Sequence, residues 1–356
     1  MIKNIKKIDS GKIESPGNDE PCRSMADTCH PLAVGDLQQN HASVVLNSVN
    51  QVTAFAPATS ANMIVGFDIL GFALDAVGDE VTLIKRNDGQ IVIDAIESKQ
   101  ELPLLSNKNT ASIVIEKACA DLGINCGFSL RIKKGIALGS GMGGSAASAV
   151  AALVAFSHFL QQPLSNEQLA YYALFGEELA SGQKHADNVV PCIYGGVTLT
   201  RSIDPIDVIK LPAPDLQCII VHPHLTVETK AARGILKPDI TMKNFVAQTA
   251  NLASFIAALY TNDMALLGRS LNDVVIEPQR AHLVNGFYSV KELAYDGGAL
   301  ACSFSGSGPT MFALSEKLAD AKKIAAQMVT GFEKLGIKTD WWISPINKNG
   351  AYVIPA

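Results

Sequence analysis

The chain has 356 residues, 48% of them hydrophobic and 18% charged, which supplies apolar mass for more than one core and excludes disorder for most of its length. Twenty-nine Lys plus Arg against 34 Asp plus Glu leave a formal charge of −5 without a long block of either sign, so neither a nucleic-acid partner nor a polybasic membrane anchor is expected. The longest apolar run, residues 149–156, falls far short of the ~20 that cross a bilayer, and seven cysteines without a C-x-x-C pair read as reduced thiols; the expected compartment is the cytoplasm.

Residues 1–48 are rich in Ser, Asn, Gly, Pro and Asp, carry no sustained period of 2 or 3.6, and predict a flexible extension. From Gln51 the character changes. QVTAFA, EVTLIKR and QIVIDAI read as strands, residues 110–122 have helical spacing, and GFSLRIK alternates as a strand that runs into a glycine-rich turn. An Ala-rich helix to about residue 160 and a second over 166–180 follow. An apolar strand is expected after Asn188, then the strand YGGVTLT and one short strand punctuated by Pro205, Pro212 and Pro214, where a domain junction near 205–214 is predicted. The second half reads as strand 217–222, helices 228–235 and 242–260, a further helix, strands ALACSFS and TMFALS around SGSGP, a helix over 319–332 and a strand over 339–344. Strands in one layer with helices on another predict an α+β architecture.

The turn at residues 137–147 consists of Ala137, Leu138, Gly139, Ser140, Gly141, Met142, Gly143, Gly144, Ser145, Ala146 and Ala147. Its glycines permit positive φ and close backbone approach, and the bare amides of a helix N-terminus favour a phosphate. It lacks the Lys of a Walker A loop and the distal acid of a dinucleotide fingerprint, and by itself fits a tight connection equally well. Asn62 and Asp68 sit among Pro57, Gly66 and Gly71, where turn chemistry competes with a binding role. In GEELASGQKHADN, Glu177, His185, Asp187 and Asn188 crowd one turn. The Glu pair is either a solvated helix face or a source of one carboxylate for Mg²⁺, with Asp187 and Asn188 meeting a substrate hydroxyl. Arg233 and Arg280 lie in apolar segments; they either pair with acids such as Asp239 or Glu277 or grip one carboxylate between them. His222 and His224 suggest no third metal ligand.

The order and separation of PATSAN…GFD, GSGMGGSAAS, HADN…GG and SGSGPT resemble the small-molecule kinase superfamily of galactokinase, homoserine kinase, mevalonate kinase and phosphomevalonate kinase (GHMP kinases), and TKAARGIL and DVVIEPQR are similar to its homoserine kinase branch. The resemblance runs from about residue 52 to the C-terminal end. It implies an extension at 1–48, an ATP-binding domain of ribosomal-protein-S5-domain-2-like fold at 49–210 and a ferredoxin-like domain at 211–356, with the active site between the two. The implied reaction is phosphorylation of the L-homoserine hydroxyl by ATP and Mg²⁺ for threonine synthesis, in a possible homodimer. By resemblance, 137–147 is the ATP loop, Ser145 and Glu177 hold Mg²⁺, Asn62, Asp68, His185, Arg233 and Arg280 bind substrate, and Asp187 and Asn188 serve the hydroxyl. Ala137, Met142 and Gly144 depart from the Pro, Leu and Ser usual in that loop. Two alternatives stay open: a non-catalytic nucleotide or small-molecule sensor, and a kinase of another alcohol such as mevalonate.

Overall fold

The computed structural model describes residues 46–355, so the extension expected at 1–48 lies, except for its end, outside the described residues. Two sheets carry the fold. The first has seven strands: β1 (Gln51–Ala61), β2 (Leu70–Arg86), β3 (Ile91–Glu97), β4 (Gly127–Lys133), β5 (Val197–Ile203), β6 (Ile206–Leu211) and β11 (Tyr352–Val353), in the order β11-β1-β2-β4-β3 with β5 on β2 and β6 on β5. Only β3 with β4 is parallel among these pairs. The second is an antiparallel sheet, β10-β7-β9-β8, built from β7 (Gln217–Pro223), β8 (Ala301–Phe304), β9 (Met311–Ser315) and β10 (Thr339–Pro345).

Four helices accompany the first sheet: α1 (Thr110–Asp121), α2 (Gly144–Ser157), α3 (Asn166–Ser181) and α4 (Val189–Tyr194). Residues 146–153 of α2 are all buried, and its run of alanines explains how one helix can sit against β1, β2 and both α1 and α3. Caps set the helix starts: Asn109 accepts from the Ala111 amide at α1, and Ser165 with Gln168 forms a reciprocal capping box at α3. The second half adds α5 (Thr229–Gly234), α6 (Met242–Thr261), α7 (Met264–Ser270), α8 (Glu277–Arg280), α9 (Phe287–Asp296) and α10 (Leu318–Glu333).

Burial on β7 explains how the halves join. Cys218 and Ile220 belong to the large core under the first sheet, while Ile219 and Val221 belong to a second core with α9 and α10. Alternate residues of this continuous apolar strand thus serve two cores. Phe72 on β2 meets Phe312 on β9 edge to face at 5.4 Å across that contact. No described helix is long and apolar enough to cross a membrane.

Two expectations need correction. The segment after Asn188 is helix α4, not a strand: Pro191 falls in its first turn, where a missing N–H costs nothing, and all of residues 189–193 are buried. β1 and β2 are also longer than expected, since β1 continues through Pro57 by way of a bulge between Pro57 and Thr59, and β2 begins ten residues before EVTLIKR. Beyond the strand expected at 339–344, Tyr352 and Val353 pair with Phe55 and Ala54 of β1.

Candidate active site

A cleft of about 350 Å³ opens over the glycine turn, and Asn62, Asp68, Glu177, His185, Asp187, Asn188, Arg233 and Arg280 all line it. Seven loop members, Ala137, Leu138, Gly139, Ser140, Gly141, Gly143 and Gly144, line it too, with Ser145. Met142, Ala146 and Ala147 do not; their side chains are buried in the large core.

The loop's backbone has an ordered polarity. Its carbonyls are engaged by protein: Ser140 O accepts from Thr310 N (3.2 Å), Gly141 O from Ser305 Oγ (2.8 Å), Met142 O from Thr59 N (3.1 Å), Gly143 O from Ala147 N (2.9 Å) and Gly144 O from Lys134 Nζ (2.7 Å). Among the described residues, none accepts a hydrogen bond from the N–H groups of residues 138–146. A row of unpaired amides at the start of α2, with Gly143 in the left-handed region as its cap, is a cradle for an anion. Two glycines cannot be replaced without collision: a Cβ on Gly141 would stand 2.5 Å from Ser305 O, and one on Gly143 2.1 Å from Thr59 Oγ1. The buried Ser140 hydroxyl has no partner, so it is also available to a ligand.

Opposite the loop, Arg233 donates to both oxygens of Asp68, at 2.9 and 2.6 Å, and neither Asp239 nor Glu277 is its partner. Glu277 instead receives Lys291 at 2.5 and 2.7 Å and Ser303 at 2.6 Å, leaving Arg280 to bond the Ala232 carbonyl. Phe67 lies beneath both guanidinium groups, 5.2 Å from that of Arg233 and 5.1 Å from that of Arg280. Asn62 acts as a clasp: Oδ1 accepts from Asp68 N (3.0 Å) and Nδ2 donates to Gly306 O (3.1 Å). The turn between them holds Asn62, Met63, Ile64 and Asp68 at positive φ, which for the β-branched Ile64 is strained backbone beside the site.

Between the loop and the arginines, Ser145 Oγ donates to Glu177 at 3.2 Å, and Thr59 Oγ1 donates to Asn188 Oδ1 at 2.8 Å, leaving the Asn188 Nδ2 free to donate. Burial pushes the Glu177 carboxyl up despite the Ser145 bond and the Arg233 charge. Burial, with the carboxylates of Asp68 and Glu177, pushes Asp187 up to about 8, and burial with Arg233 lowers His185. His185 Nε2 is buried without a partner. Of the two residues of the H-x-H pair, His222 meets Thr310 Oγ1 at 3.0 Å and His224 meets Asp340 at 3.3 Å.

No group of three or more His, Cys, Asp or Glu forms a metal cage among the described residues. One carboxylate and one hydroxyl beside an anion cradle nevertheless fit Mg²⁺, which commonly takes few protein ligands and completes its shell from phosphates and water.

Residues 109–196 match the family described as GHMP kinases N terminal domain, and residues 255–334 match GHMP kinases C terminal. A homoserine kinase of Chloroherpeton thalassium is 43% identical over 319 residues, covering 86% of this chain and 100% of the relative. One of Xanthomonas campestris pv. campestris is 41% identical over 320 residues, 89% of this chain and 98% of the relative. The crystal structure of a homoserine kinase from Cytophaga hutchinsonii matches with a TM-score of 0.83 at 44% identity, across 87% of this chain and 99% of that one. The chain belongs to the homoserine kinase family of the GHMP kinases.

As a GHMP kinase it is a two-domain α+β enzyme that uses ATP. The mevalonate kinase of L. major, at 16% identity and a TM-score of 0.64, shares the fold alone. Several residues that this homoserine kinase family member brings to the cleft escaped sequence reasoning: Lys134, Thr226, Thr229 and Ser307 line it, Thr59 holds Asn188, and Phe67 supports both arginines. A signal existed for Thr59 and Phe67, which lie inside the PATSAN…GFD segment. Thr229 and Ser307 likewise lie inside TKAARGIL and SGSGPT, whereas none existed for Thr226, which the fold delivers from after β7.

Proposed function

We propose that the chain transfers the γ-phosphoryl group of ATP to the side-chain hydroxyl of L-homoserine, giving O-phospho-L-homoserine and ADP for threonine synthesis. The observation that carries this reading is one cleft with free amides on one wall and the Arg233–Asp68 pair, backed by Arg280, on the other. The amide wall suits a polyphosphate. The other wall presents both signs of charge to a zwitterion: Asp68 for its ammonium, Arg233 and Arg280 for its carboxylate, with the unpartnered His185 Nε2 beside them.

The new bond joins the homoserine hydroxyl oxygen to γ-phosphorus, the bond from that phosphorus to the β–γ bridging oxygen breaks, and ADP leaves with the electron pair. Asn188 orients the acceptor through Nδ2, because Thr59 fixes its Oδ1. The hydroxyl proton passes to a phosphoryl oxygen as the new bond forms, with the Asp187 carboxyl, raised by burial and its neighbouring carboxylates, on the acceptor side. Ser145 and Glu177 would hold Mg²⁺, which neutralises phosphate charge when bound. Charge placement and orientation then supply most of the rate. Within the chain we assign ATP binding to residues 49–210 and a share of the acceptor site to residues 211–356, and we place the enzyme in the cytoplasm.

The direct test is ³¹P NMR of the protein with ATP, Mg²⁺ and L-homoserine. A phosphomonoester signal matching O-phosphohomoserine, lost on chelation of the metal, is expected; hydrolysis of ATP to inorganic phosphate alone would contradict the proposal.

A further inference from the structure

We propose that Lys134 is a positioning residue of the phosphate loop: its ammonium, held by the buried carboxylate of Asp79, staples the chain entering the loop to the first turn of the helix leaving it. This deepens the kinase reading and rests on it. Lys134 follows directly on β4 with its side chain 5% exposed, and the Asp79 side chain is wholly buried. The ammonium uses three donors. One goes to Asp79, one to Gly144 O at 2.7 Å and one to Ser148 Oγ at 2.9 Å. The carboxylate in turn accepts from Gly135 N (3.0 Å) and Ile136 N (3.2 Å), just before the loop, and from Ser148 Oγ (2.7 Å) on α2.

Both ends of the glycine loop therefore converge on one buried ion pair. Stability alone is a weak reason for such a pair, since a buried ion pair is often no better than apolar packing of the same volume. Its geometry offers a better one. Four glycines between residues 139 and 144 give this stretch large intrinsic backbone freedom, and amides that receive phosphate must be aimed before it arrives. Gly144 has no side chain to restrain it, and its carbonyl is gripped from outside by Lys134. Lys134 also lines the cleft.

The test uses the full chain and two variants, Lys134→Met and the uncharged pair Asp79→Asn with Lys134→Met, which strands no charge if the single change fails to fold. Calorimetric titration with ATP and no acceptor reads the loop independently of homoserine. Either folded variant is expected to bind ATP at least about tenfold more weakly, while KM for homoserine at saturating ATP stays within about twofold. ATP affinity within about twofold of the parent, or equal weakening towards both substrates, would overturn the proposal. So would failure of both variants to fold, because the pair would then hold the domain together rather than aim the loop. A parent that binds ATP without homoserine turnover would refute the kinase reading while leaving the staple testable by titration. A parent that binds no ATP would remove both.

Discussion

Asp187 and Glu177 carry the clearest consequences of burial. The Asp187 carboxyl titrates ordinarily at 3.8 and is raised to about 8 in the folded chain, so the native state holds its proton more tightly than the unfolded one. The stability this brings is complete below about pH 3.8 and is lost as the pH climbs through about 8. Asp187→Asn mimics the protonated form without titrating. Thermal melts between pH 5 and 9 are thus expected to show the variant gaining on the parent as pH rises, by more than about 1 kcal/mol above neutrality. A gap independent of pH would remove the carboxyl from this role.

For Glu177→Gln we expect a fold-neutral change with kcat/KM down by about 100-fold or more, since the one carboxylate beside the loop's first helical hydroxyl is lost. Parental rates would refute its assignment to Mg²⁺. Arg233→Leu removes two charge-assisted bonds to Asp68 and one face of the acceptor wall. Steady-state kinetics are expected to show KM for homoserine raised about 10- to 100-fold with KM for ATP little changed. Equal effects on both substrates would mean that the pair shapes the cleft as a whole.

Element by element, what could be read in the sequence followed from periodicity and punctuation. Strands β4, β7, β9 and β10 and helices α1, α3 and α10 have clean spacing or caps, and their expected positions match the observed ones closely. Misreadings arose where tertiary contacts override local signals. Val189 and Val190 read as strand, yet they pack inward from α4, and the Asp79 half of β2 is hidden by Gly71, Asp75 and Gly78, whose small or polar side chains read as turn. The two glycine turns were visible, but not their contact: Ser305 and Thr310 pin the carbonyls of Gly141 and Ser140, which no local pattern encodes.

That contact yields a comparison between two elements. Gly141 and Gly182 have similar positive φ, +79° and +82°, but a Cβ on Gly182 meets nothing within 4 Å. Gly182→Ala, at the C-terminus of α3, is expected to cost about 1 kcal/mol of stability and leave KM for ATP unchanged. Gly141→Ala adds a collision with Ser305 O, and should weaken ATP by at least about tenfold. Equal effects in binding titrations would show that loop geometry is not what receives the nucleotide.

At the scale of the whole molecule, the site residues singled out above run from Asn62 to Arg280, downstream of a stretch, residues 1–48, whose sequence carries no sustained period of 2 or 3.6. Leu46 bridges to Leu160, and Asn47 bonds the carbonyls of His158 and Phe159. A chain begun at Leu46 is accordingly expected to keep the parent's turnover and melting temperature, measured side by side; a fall in either would give the preceding residues a part in the enzyme. The site was partly legible for a related reason. Glycines, acids and arginines announce themselves by type, so Asn62, Asp68, Glu177, His185, Asp187, Asn188, Arg233 and Arg280 could be singled out, and the fold brings all of them to one cleft. Their pairing could not be read, because Asp68 and Arg233 stand 165 residues apart and meet only once the second half folds against the first.

All of these features serve one property, a cleft that accepts an amino-acid alcohol and ATP together. The measurement that tests it most directly is ADP release with Mg²⁺ and ATP against L-homoserine, L-serine, mevalonate and galactose as parallel acceptors. Saturable turnover with L-homoserine well above that with the other three is expected. Preference for mevalonate or galactose, or ATP binding without turnover of any acceptor, would contradict it.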